Sequence, residues 1–206
     1  MFVFKQRTTP PKKDYEIIPK GDKFEIEIQD TMHLKLIYRN LHTWLEDNEY
    51  YDAESGSGGN FESLYYEVKQ ANGLMWHHIW WRILKKPREH SGRYFRYFIK
   101  LNYQTIAVSK TETMLKGKKF KTYKGDIILR IKAYVQVDPD NEWDKHPIIK
   151  HFQKMLIERW LKKDIEYHKN QLYADLVELQ RHVKEYMGGK TEVPRRKDWF
   201  DNTTGL

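Results

Sequence analysis

The clearest period in the chain is two. Ile127, Leu129, Ile131, Ala133, Val135 and Val137 alternate with Ile128, Arg130, Lys132, Tyr134 and Gln136, which predicts a strand with one aliphatic face. Phe24, Ile26 and Ile28 alternate with Glu25 and Glu27 in the same way, a half-buried strand. "FESLYYEVKQ" and "LMWHHIWWRILKK" flank Asn72-Gly73, the signature of a β-hairpin. "KPREHSG" ends the second of these, and "RYFRYFIKLNYQTIAV" reads as the next strand. Beyond it, Lys116-Gly117-Lys118 and Lys124-Gly125-Asp126 predict two tight turns separating three strands. "DAESGSGGN" is predicted to be a loop.

Two segments change to the helical period. Leu34, Ile37, Leu41 and Trp44/Leu45 predict a helix to about Asp47, with Asp30 or Thr31 as its cap. A second begins near "DPDNEWDKHP", with Asp144 as the cap and Pro147 in the first turn. With no Gly or further Pro before Gly188, it predicts one helix of about forty residues, roughly 60 Å long at 1.5 Å per residue. Its first half offers Ile148, Ile149, Phe152, Met155, Leu156, Trp160 and Leu161 as a broad face for a sheet. From Ile165 the pattern narrows to Ile165, Leu172, Leu176, Leu179, Val183 and Tyr186, close to a heptad seam interrupted by Lys169. Such a seam either continues along its own domain or assembles with a partner helix or a second copy, a homo-oligomer.

The order of elements predicts an α+β fold: an antiparallel sheet of about five to six strands, one short N-terminal helix and one long C-terminal helix. The organisation follows: an extended arm over 1–21, an α+β domain over 22–161 that includes the first half of the long helix, a helical extension over 162–187 as the assembly segment, and a flexible tail over 188–206. In element order the chain is similar to helix-grip domains of the START-like class, which hold apolar ligands between a sheet and the final helix. It has one early helix where that class has two.

Composition changes this picture in two ways. Hydrophobic residues are 39% of the chain, but aromatics are 15%, and large rings bury enough area to sustain a core. The complete lack of cysteine excludes disulfides, thiolate metal sites and cysteine nucleophiles. No apolar run is long enough to span a bilayer, and the first twenty residues carry no long apolar stretch, so the expectation is a soluble, cytoplasmic protein.

The net charge of +8 conceals a division. Residues 22–73 hold four Lys or Arg against eleven Asp or Glu, and residues 74–137 hold fifteen against three. Either the acidic and basic parts complement each other within one fold, or the basic part attracts a polyanion. Alternation decides which side chains would do so. If Met75, Ile79 and Ile83 face the helices with the aliphatic side of 127–137, the reverse of the sheet carries Trp76, His78, Trp80, Arg82, Arg96, Phe98, Lys100, Arg130, Lys132 and Tyr134. Flat rings among cations suit single-stranded nucleic acid, whose bases stack while its phosphates are neutralised; an anionic membrane surface would also be attracted. The same residues can simply shield a sheet from water.

Candidate chemistry is thin. His77 and His78 are adjacent on a strand and point to opposite faces, and His146 and His151 lack the i, i+4 spacing of a helical zinc pair. "SGSGGN" lacks the Lys-Ser/Thr of a phosphate loop, and Glu25 and Glu27 are read as solvent-facing. The expectation is a non-enzymatic binding or scaffold protein without metal or cofactor, presenting a basic aromatic sheet face to a polyanion. Two alternatives stand beside it: a carrier of an apolar small molecule held by Phe152, Met155 and Leu156, and a purely structural subunit that self-assembles through the 165–187 seam.

Overall fold

A computed structural model describes residues 14–16, 24–53, 61–115 and 118–186. It is an α+β protein built on one seven-stranded sheet in which every pairing is antiparallel. The strands are β1 (Asp14–Glu16), β2 (Phe24–Met32), β3 (Tyr51–Asp52), β4 (Glu62–Lys69), β5 (Met75–Lys85), β6 (Phe95–Leu115) and β7 (Lys118–Val137). β5, β6 and β7 form the centre; β1 and β2 share the far edge of β7, while β3 and β4 share that of β5. The first long strand thus pairs with the last, Ile26 opposite Leu129. The count passes the expected five to six through the short β1 and β3, which carry too few residues to show a period.

The β4–β5 hairpin turns where expected. Gly73 takes φ +82°, and the Asn72 carboxamide accepts from the Leu74 N–H at 3.1 Å. Residues 116–117 lie outside the described residues, between strands that pair from Leu115/Lys118 onward. Lys124-Gly125-Asp126 is not a turn: β7 runs straight through it. Gly125 sits there because a Cβ would lie 2.9 Å from the Val108 backbone, beside a bulge in β6 where Ala107 has φ +50°. A glycine that marks close backbone approach carries the same local signal as one that marks a turn.

One face of the sheet is covered by helices. α1 (Leu34–Asp47) buries Ile37, Leu41, Trp44 and Leu45. Its cap is His33, whose Nδ1 accepts from the Leu36 N–H at 3.3 Å, because β2 continues to Met32 and takes Asp30 and Thr31 into the sheet. α4 (Lys162–Tyr186) lies in the same layer and contributes Ile165, Leu172, Leu176, Leu179 and Val183 to the core, with Ile99, Leu101, Leu129, Ile131 and Trp81 from the sheet.

The C-terminal segment is not one rod. α2 (Glu142–Lys145) and α3 (Ile149–Met155) are separate short helices, followed by a π turn at Leu156–Trp160 and a break at Leu161 before α4 begins. Asp138 caps α2, accepting from the N–H groups of Glu142 and Trp143 at 2.8 and 3.2 Å. Asp144 was the expected cap, but it lies inside that turn. The face read over 148–161 does not lie on the sheet either: Ile149, Ile157 and Leu161 pack half-buried against the core, whereas Ile148, Phe152, Met155 and Trp160 are exposed.

The seam from Ile165 is consumed within the chain. Leu172, Leu176 and Leu179 are 0% exposed, and His168, not Lys169, completes the stripe between Ile165 and Leu172. The His168 Nε2–H donates to the His90 carbonyl at 2.8 Å, which leaves Nδ1 to accept from the Tyr97 hydroxyl, also at 2.8 Å. Burial lowers the pKa of this imidazole and raises that of the phenol. Asp175 ties the same helix to the sheet, accepting from the Tyr50 hydroxyl at 2.7 Å and the Lys85 ammonium at 2.9 Å. These side chains therefore belong to the core of the domain; the side chain of Tyr186 lies outside the described residues. Among the described residues no helix is long and apolar enough to cross a membrane.

Candidate functional site

The ten side chains singled out on the basic segment do share one face, the one turned away from α1 and α4. Register places them in successive rows across β5, β6 and β7: Leu84, Phe98 and Tyr134; Arg82, Lys100 and Lys132; Trp80, Asn102 and Arg130; His78, Gln104 and Ile128. Arg96 pairs with Gln136 beyond one end, and Trp76 lies at the other. Tyr66 and Leu64 of β4 extend the face beside His78 and Trp80.

The cations on it have different surroundings. Arg130 is partly neutralised by the acidic strand: its Nε lies 3.2 Å from Glu25, and its Nη1 donates to Gln104 at 2.7 Å. Arg96 donates to Gln136 at 2.9 Å and sits 3.6 Å from Asp140. Complementarity between the acidic and basic parts of the chain thus accounts for Arg130, with Glu25 as its partner and Glu27 exposed beside it. The central row sits among rings. Arg82 donates to the Trp81 carbonyl at 2.9 Å and to Asn102 at 3.3 Å, with its guanidinium 5.5 Å from the Trp80 ring. Lys100 lies over the rings of Phe98 and Tyr134, at 5.3 and 5.1 Å. Lys132 is exposed. Arg82, Lys100 and Lys132 thus stand directly opposite one another on adjacent strands.

A second feature, missed in the sequence, lies on the helix-covered face where α1 begins. A cleft of about 360 Å³ opens between α1, β4, β5, β6 and β7, with Leu34, Met75 and Ile79 among its apolar walls and Tyr38, Tyr65, Tyr103 and Tyr123 among its rings. Its polar groups converge on His77. The His77 N–H donates to Thr105 Oγ1 at 2.9 Å, and the fully buried Thr105 hydroxyl reaches back to Nδ1 of the same residue at 2.7 Å. This directs the Nε2–H toward Glu67, 4.0 Å away. Burial lowers the His77 pKa, opposed by Glu67. The Lys69 ammonium, bonded to Glu67, holds that carboxyl below its usual range, while burial raises Glu62, which accepts from the Tyr38 hydroxyl.

Hydroxyl, imidazole and carboxylate in a string invite a comparison with a catalytic triad, but the order is reversed. The hydroxyl is the buried end and the carboxylate the open one, so the string orients the ring instead of activating a nucleophile. The sequence shows no spacing that could reveal this group, because Glu67, His77 and Thr105 meet only through cross-strand register. His78 points to the opposite face, as alternation requires. Phe152 and Met155, expected with Leu156 to line a ligand space against the sheet, are exposed. Among the described residues no three His, Asp or Glu side chains are arranged to hold a metal ion.

Neither the protein-family models nor the curated proteins compared with this chain match it. The chemistry of the two faces is the ground for a functional reading.

Proposed function

We propose that the protein is a non-enzymatic binding protein whose uncovered sheet face holds single-stranded nucleic acid. The observation that carries this reading is the row Arg82, Lys100 and Lys132, three cations in direct register with rings on the adjoining rows. A phosphate backbone laid along that row meets three cations in register, and Trp80 and Phe98 offer flat surfaces to bases on either side. Of the polyanions considered, a single strand uses both rings and cations; a bilayer would use the cations while leaving a flat row of half-buried rings short of its acyl boundary.

The test is binding of a labelled mixed-sequence single strand across a salt series. Micromolar affinity is expected, with a log–log salt slope of about −2 if three phosphates are neutralised. Lys100→Gln with Lys132→Gln should flatten that slope by roughly two thirds, whereas Trp80→Ala should weaken binding by about 1–3 kcal/mol and leave the slope unchanged. No binding at low salt removes the reading.

A second reading is favoured by the cleft. Its aromatic walls, apolar floor and the exposed Lys35 and Lys110 at its rim suit a small amphipathic molecule with a ring and one anionic group. The expected outcome is saturable binding of an aryl carboxylate that Ile79→Trp, filling the cleft, abolishes. Binding unaffected by that substitution assigns the ligand elsewhere.

A further inference from the structure

The stretch between α2 and α4 leaves four large apolar side chains in solvent: Ile148 is 64% exposed, Phe152 50%, Met155 39% and Trp160 72%. Ile148, Phe152 and Met155 are spaced by four and three residues, a single stripe on α3. Trp160 follows five residues after Met155, a spacing that in an α-helix would carry it off that stripe. The π turn corrects this. The Leu161 N–H bonds to the Leu156 carbonyl at 2.9 Å, an i to i+5 closure, and at that pitch a residue five positions on returns near the same side. Ile149, Ile157 and Leu161 hold the segment to the core by its other side.

Charge identifies what such a stripe would meet. Between residues 145 and 163 the chain carries six Lys or Arg and one Glu, a net of +5. All six (Lys145, Lys150, Lys154, Arg159, Lys162 and Lys163) are exposed, and the single carboxylate, Glu158, lies 3.8 Å from Lys154. A second copy would bring +5 against +5, which opposes a symmetric dimer through this patch. A lipid surface of opposite charge satisfies both halves of the pattern. The apolar stripe enters the boundary between headgroups and acyl chains, with the Trp160 indole at headgroup level, and the long cation stems reach back to phosphate and carboxylate headgroups.

We propose that residues 145–163 form a membrane-docking element that seats the protein peripherally on an anionic bilayer. This goes beyond the nucleic-acid reading, uses different residues and does not depend on it.

The test is flotation of the full chain with phosphatidylcholine vesicles, with and without phosphatidylserine. The protein should partition onto the anionic vesicles with a blue shift in tryptophan emission that is lost in Trp160→Phe. Phe152→Ser with Trp160→Ser should lower the partition coefficient by about tenfold or more. Lys150→Gln with Lys154→Gln should lower it by about thirtyfold. Each of these residues is exposed, so melting temperatures should be unchanged and a loss is not a folding defect. The Lys100→Gln and Lys132→Gln variant should float as the wild type does; if it fails to, the lipid site is the sheet face and the proposal is overturned. It is equally overturned by no flotation, by equal partition onto neutral vesicles, or by a concentration-dependent mass that Phe152→Ser with Trp160→Ser abolishes while vesicles do not bind.

Discussion

Residues 148–160 and 165–183 carry apolar side chains at nearly the same helical spacing, yet their surroundings are opposite. In α4 the stripe is buried to the last atom at Leu172, Leu176 and Leu179, and its polar flank is bonded across to Tyr50, Lys85 and Tyr97. In α3 and the π turn the larger side chains face water, and the polar flank is rich in exposed cations. The difference is that α4 packs against α1 and the sheet along its length, whereas α3 approaches the core only by its edge, at Ile149. An apolar period states that a face is to be covered; it does not state whether the cover comes from the same chain.

That contrast can be broken most severely at Leu176. Leu176→Ala should destabilise the protein by about 2–5 kcal/mol, measured by urea unfolding, since the cavity lies where α4 meets the sheet. If the loss is under 0.5 kcal/mol, α4 is not part of the core. Asp175→Ala comes next: it leaves the buried Tyr50 hydroxyl and the Lys85 ammonium without their shared acceptor, at a cost of about 1–3 kcal/mol.

Acid should act on α4 and the cleft. His168 and His77 both have folded-state pKa values lowered by burial. The unfolded chain therefore binds more protons just below an ordinary histidine pKa of about 6.5, so stability is full above that pH and falls as the pH drops through 6.5 toward the folded values. A urea midpoint followed from pH 7.5 to 5 should decline, and less steeply in His168→Gln, whose carboxamide can still donate to the His90 carbonyl. An equal decline in both would remove His168 as the cause. The smallest effect belongs to the exposed stripe: Trp160→Ser and Phe152→Ser should each change stability by no more than about 0.5 kcal/mol. A large loss there would mean that another part of the chain covers them.

The sheet was legible because its signal is local. Alternation over Phe24–Ile28 and Ile127–Val137 assigned each residue to a face, and the ten basic and aromatic positions share a face for that reason. Hairpin chemistry at Asn72-Gly73 worked likewise. The cleft was illegible because Glu67, His77 and Thr105 come together only through the pairing of three strands, and nothing in their spacing along the chain distinguishes them from other polar residues of the inner face. Gly125 misled for a related reason: its lack of a side chain serves the neighbouring backbone of Ala107 and Val108, which the sequence does not place beside it.

By itself, then, the sequence determined what depends on short-range stereochemistry: strand and helix periods, which side chains share a face, the sharp turn at Gly73 and the concentration of cations after residue 74. Tertiary structure decided which of two apolar faces is core. Ile165 to Val183 and Ile148 to Trp160 both favour leaving water, but a sheet of this width and one helix layer bury only one of them. The free energy of burial depends on what lies opposite a side chain, and that is a property of the whole fold.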